Sequence, residues 1–121
     1  MATEQARSAE QPLAHLRRQY QSGLESKVAV LVERWHGVAE SGGGMGEIGA
    51  LSEELHKLSG SAGSYGFSDL SAASKALESA LDSILDGGRK LSPDELRPLQ
   101  LLLDQTVQLA IAGGDATAPS D

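Results

Sequence analysis

The chain has 121 residues, a formal net charge of −7, no cysteine, and one Trp, one Phe and two Tyr. That length fits one small domain with a single core, which must be built from Leu, Val, Ile and Ala. Disulfide frameworks, thiolate chemistry and Cys-based metal sites are excluded, and the acidic balance argues against nucleic acid, whose phosphates need clustered Lys and Arg.

Residues 1–10 are polar and without period, and a disordered terminus is expected. The opening MATEQARSAEQ lacks a hydrophobic signal region, and no apolar run approaches the roughly 20 residues of a membrane span. A cytoplasmic protein that does not engage membranes is expected. From Pro12, the stretch PLAHLRRQYQSG spaces Leu13, Leu16 and Tyr20 by three and four, which predicts a short N-terminal helix packed across the rest. Arg17 and Arg18 read as a solvated face. Leu24 to Glu40 follows as a longer helix with a core stripe of Leu24, Val28, Leu31, Trp35 and Val38. His15 and His36 read as exposed residues without function. Neither has a partner at ligand spacing, so no metal site is expected. Ser41-Gly42-Gly43-Gly44 ends this helix.

The next helix is predicted from about Gly46 to Tyr65, stopping at Gly66. Ile48, Leu51, Leu55, Leu58, Ala62 and Tyr65 form its core stripe. His56 lies about a quarter turn off the centre of that stripe. Along its strip come Gly49, Ser52, Ser59, Gly60 and Gly63, none with a bulky side chain. A glycine inside a helix costs about 0.5–1 kcal/mol relative to alanine, so the strip needs a reason. Either a neighbouring helix crosses closely there, with His56 hydrogen-bonded to it at the boundary, or the imidazole stands clear where another protein approaches. The residues alone support both.

Ser68 or Asp69 is placed to cap a further helix with the stripe Leu70, Ala73, Leu77, Leu81 and Ile84, closed by Gly87-Gly88. Ser92-Pro93-Asp94-Glu95 is a capping box with proline at the first helical position, and Leu91 and Leu96 are placed to staple it. Pro98 is less comfortable, because a proline beyond the first turn costs a hydrogen bond and often kinks the helix. Leu99, Leu103, Val107 and Ala110 or Ile111 continue the last stripe to Gly113-Gly114, and residues 114–121 read as a disordered tail. The sum is an all-α domain over residues 11–113: an antiparallel four-helix bundle, up-down-up-down, with a short additional N-terminal helix. No segment shows strand alternation.

Serine hydrolase, P-loop and zinc-protease motifs are absent, and the chain leaves no room for an ATP-binding kinase domain. The string HKLSGSAGSYGFSDL, however, resembles the phosphoacceptor motif of histidine phosphotransfer (Hpt) domains, including that of chemotaxis-type histidine kinases. His56, Lys57, Leu58, Ser59, Gly60, Ser61 and Ala62, then Gly66, Phe67 and Leu70, follow the family pattern. A downstream Leu-Glu pair matches Leu77 and Glu78. One position departs: Ser59 stands where many members carry a lysine, which would place positive charge near the phosphoryl group.

The resemblance implies a phosphorelay carrier rather than an enzyme, with His56 as phosphoacceptor through Nε2. Gly60 would keep the approach open, Lys57 and Ser59 would contact the phosphoryl group or receiver, and Gly63, Ser52 and Gly49 would form the docking surface. The partners implied are a response-regulator receiver domain and a sensor histidine kinase. The chain would need no cofactor of its own, Mg²⁺ coming with the receiver, and a monomer is expected. The alternatives are a degenerate Hpt-like adaptor that docks a receiver or kinase without carrying phosphate, and a helical adaptor in which His56 is structural.

Overall fold

Apolar residues at three- and four-residue spacing generate four helices in the computed structural model, which describes residues 14–88 and 90–112. They are α1 (Leu24–Glu40), α2 (Met45–Ser64), α3 (Ser68–Asp86) and α4 (Pro93–Ile111). Residues 14–22 are also helical. The expectations for residues 1–10 and 114–121, for a start at Pro12 and for Gly113-Gly114 lie outside the described residues. Among the described residues there is no strand, as the all-α reading requires.

Each helix packs against two others in the ring α1–α2–α3–α4–α1, and the α2–α3 seam is the most extensive. Across that seam, Ser52 meets Asp82, His56 meets Glu78, and Ser59 meets Ser71. Numbers rise along one helix as they fall along the other. The core between the four helices is largely leucine, with Leu31, Leu51, Leu55, Leu70, Leu77, Leu81 and Leu103 essentially inaccessible. Each such side chain contributes about 1.5–3 kcal/mol over leaving it in water. Trp35 is buried as expected, and its indole N–H donates to Gln100 Oε1, which fastens α1 to α4.

Two of the stripes are corrected by the structure. On α3 the buried position is Ser74, with Ala73 half-buried, and on α4 it is Thr106, with Val107 half-buried. The four-three rhythm from Leu70 to Ile84 and from Leu99 to Ala110 dictates these positions, and an apolar neighbour does not override it. Thr106 satisfies its hydroxyl on the Leu102 carbonyl at 2.9 Å, whereas Ser74 Oγ has no partner. Ala110 is the buried member of the Ala110/Ile111 choice, and Ile111 is exposed.

The helix ends are local chemistry. Gly66 adopts φ +83°, the Phe67 N–H reaches the Ala62 carbonyl at 2.8 Å and the Gly66 N–H reaches Gly63 at 3.1 Å. This is a Schellman closure, which needs a residue that tolerates the left-handed region. It buries Phe67 and places that residue at the N-cap position of α3. Neither Ser68 nor Asp69 caps that helix: both lie inside its first turn. Gly43, at φ +82°, lies so close to Leu91 that a Cβ there would stand 2.5 Å from the Leu91 Cβ. The α1–α2 loop is thereby pinned to the strand of chain entering α4. The capping box of Ser92 and Glu95 is present, with the Ser92 N–H donating to Glu95 Oε1 at 2.9 Å. Pro98 lies inside α4, which continues through it.

Candidate functional site: an imidazole on the α2–α3 seam

His56 sits near the middle of α2, four residues after Ser52 and four before Gly60. Its side chain is 78 % exposed, yet Nδ1 lies 2.8 Å from Glu78 Oε2 on α3. Glu78 is only 16 % exposed, held down by the core residues beside it on α3. An ionised carboxylate only accepts hydrogen bonds, so Nδ1 carries the proton and donates. In the neutral ring that leaves Nε2 as the nitrogen with the lone pair. The imidazole is therefore tied to the neighbouring helix by one nitrogen while most of the side chain is exposed.

The other expected site residues divide into two groups. Gly49 and Gly60 have no atom within 4 Å of the position a Cβ would take, so no internal packing requires glycine there. Gly63 differs. A Cβ there would meet Ser71 Oγ at 3.2 Å, so this glycine does serve the close approach of α3. Ser52 is 7 % exposed, with its hydroxyl donating to Asp82 Oδ1 at 2.6 Å. The expectation that it forms part of a docking surface is corrected: the side chain is spent inside the seam. Ser59 is half-buried. Its hydroxyl donates to the Ser71 carbonyl at 3.2 Å, while the Ser71 hydroxyl donates back to the Ser59 carbonyl at 2.8 Å. The hydroxyl expected near a phosphoryl group is thus committed to α3.

Lys57 is exposed on the opposite flank of α2. It lines a shallow groove towards α1 with Lys27, Leu31 and Ser61, and its ammonium lies 3.9 Å from Glu54. Three polar pairs therefore run along one seam, with His56–Glu78 in the middle. Glu78 was visible in the sequence as part of a Leu-Glu pair, but nothing assigned it a task. Asp82 and Ser71 carried no signal, because their partners became identifiable only once the helices were paired. No group of His, Asp and Glu that could hold a metal ion occurs among the described residues. His15 and His36 are exposed and make no such pair among the described residues.

The helical scaffold thus presents one imidazole that is anchored to α3 through Nδ1 and otherwise exposed. The family model for the Hpt domain matches residues 6–109. The chain belongs to the Hpt domain family, whose members are phosphocarrier modules of two-component signalling rather than kinases. No characterised protein and no solved structure matches the chain. Among the described residues, no helix is long and apolar enough to cross a membrane.

Proposed function

We propose that the protein is a histidine-containing carrier in a multistep phosphorelay, taking a phosphoryl group on His56 and passing it to or from receiver-domain aspartates. The observation that carries this reading is the exposed imidazole with Nδ1–H bound to Glu78 and Nε2 free. A neutral imidazole nitrogen is a competent nucleophile. In the forward step, the Nε2 lone pair attacks the phosphorus of an aspartyl phosphate. The P–N bond forms as the P–O bond to the aspartate breaks, and the carboxylate leaves with the bonding pair. Nδ1 keeps its proton, and the positive charge that develops on the ring is met by Glu78. The reverse sequence delivers the group to the next aspartate.

Phosphoryl transfer depends chiefly on positioning and charge neutralisation. In the relay the receiver supplies Mg²⁺ and its acidic ligands, so this chain need only present the histidine on a rigid helix. Gly49 and Gly60, open to solvent on both sides of His56, are the approach lane, and Gly63 continues it beside Ser71. Lys57 is a receiver contact at the flank of that lane. We read the four helices as an antiparallel up-down-up-down bundle with residues 14–22 as its additional N-terminal helix. The opposed numbering across the α2–α3 seam supports this. The protein works as a cytoplasmic monomer between a sensor histidine kinase and a receiver.

The test uses phosphoramidate, a small phosphoryl donor, with intact mass and peptide mapping. One acid-labile adduct is expected on His56, absent from a folded His56→Gln variant and unmatched at His15 and His36. Labelling of His15 and His36 with none on His56 would replace the carrier by a docking module.

A further inference from the structure

A phosphoryl group on His56 would bring about −1.5 to −2 charges onto a face that is already acidic. Glu78 touches the ring, Asp82 lies one turn further along α3, and Glu53 stands exposed on α2. Like charges this close oppose the phosphorylated state unless a cation answers them. Helices α2 and α3 carry one lysine each, Lys57 and Lys75, and no arginine. Lys57 is directed to the α1 flank and pairs with Glu54. That leaves Lys75.

The register places it well. One helical turn from Glu78 towards the start of α3 is Lys75, which falls between the His56–Glu78 and Ser59–Ser71 pairs along the seam. Around the α3 axis, Lys75 is about 60° from Glu78 at 100° per residue. Ser71 and Asp82 are turned the same way by about 20° and 40°, and both reach α2 by hydrogen bonds. Lys75 is therefore the next position outward, on the solvent rim of the seam. It is exposed, and no carboxylate lies within 4.0 Å of its ammonium among the described residues. The space over Gly60 is empty, and a four-carbon stem with a mobile ammonium suits such a reach.

We propose that Lys75, reaching from the rim of α3 over the open position at Gly60, is the counter-charge for the phosphoryl group carried on His56. This rests on the carrier reading above. The test is a ³¹P NMR titration of the full chain labelled with phosphoramidate, comparing wild type with Lys75→Gln, Lys75→Arg and Lys57→Gln. A unit charge at about 7 Å through water lowers a neighbouring pKa by about 0.4 unit. The phosphoryl titration should accordingly move up by about that amount in Lys75→Gln, while Lys75→Arg and Lys57→Gln follow wild type. The difference should shrink at about 1 M salt, where the screening length falls to about 3 Å. A Lys75→Gln curve that coincides with wild type, or a larger shift in Lys57→Gln, overturns the assignment while leaving the carrier reading intact. If wild-type His56 takes up no phosphoryl group, the carrier reading fails and the counter-charge falls with it.

Discussion

Glu78 stands 22 positions after His56 and meets it at Nδ1, so in the proposed carrier role Nε2 is the nitrogen left to react. Removing the carboxylate frees the ring to rotate and to exchange tautomers, and it withdraws the negative charge that faces the ring when the phosphoryl group arrives. Glu78→Ala should therefore fold normally and still be labelled on His56 by phosphoramidate, but about tenfold more slowly, the effect of losing about 1.4 kcal/mol of transition-state stabilisation. Nitrogen-15 spectra should show the Nδ1–H tautomer of His56 dominant in wild type and mixed in the variant. Equal labelling rates would reduce the pair to a surface contact. His56 itself was legible from its motif, and so was the oddity of the small residues around it. The roles of Glu78, Asp82 and Ser71 were not legible, because each is defined by a partner on the other helix and sequence spacing within one helix cannot reveal it.

Helix α2 is the element on which access and stability compete. Gly60 costs the helix about 0.5–1 kcal/mol relative to alanine, and nothing inside the protein fills the space a Cβ would take. Gly60→Ala should stabilise the protein by about that amount in thermal or chemical unfolding. It should leave phosphoramidate labelling of His56 unchanged, since a small donor needs little room, but slow transfer from a phosphorylated receiver. Receiver transfer at the wild-type rate would show that the glycine does not serve access. The helices themselves were readable because period, capping box and glycine stops all agreed. Where the structure departs from those signals, a second physical demand intervenes. The Schellman closure at Gly66 placed buried Phe67 at the N-cap position that Ser68 or Asp69 was expected to fill. At Ser74 and Thr106 the helical period outranked polarity, so a serine and a threonine went into the core while Ala73 and Val107 moved to its edge.

Across the whole molecule, residues 14–22 are tied to the far end of α2 by an aromatic stack. Tyr20 lies over Tyr65 and Phe67 with ring centroids 4.7 and 5.5 Å away, its hydroxyl is 2.7 Å from Ser61 Oγ, and Arg17 covers the Phe67 ring. Burial pushes the Tyr20 phenol above its ordinary value, the Ser61 hydrogen bond pulls the other way, and Tyr65 adds to the rise. A raised folded-state pKa means the unfolded chain releases its proton first. Stability from this group is thus complete below about pH 10 and declines as pH rises past that value through the folded pKa. Unfolding measured from pH 7 to 11 should show that decline, and Tyr20→Phe should reduce it. An identical alkaline decline in Tyr20→Phe would assign it to other groups.

In the proposed carrier role the whole scaffold serves to offer one nitrogen, Nε2 of His56. Long-range ¹H–¹⁵N and ³¹P spectra of the phosphoramidate-treated protein identify the phosphorylated atom directly. A phosphoryl group is expected on Nε2 of His56, with Nδ1 still protonated and hydrogen-bonded to Glu78. A group on Nδ1 of His56, or on His15 or His36 with His56 bare, would contradict it.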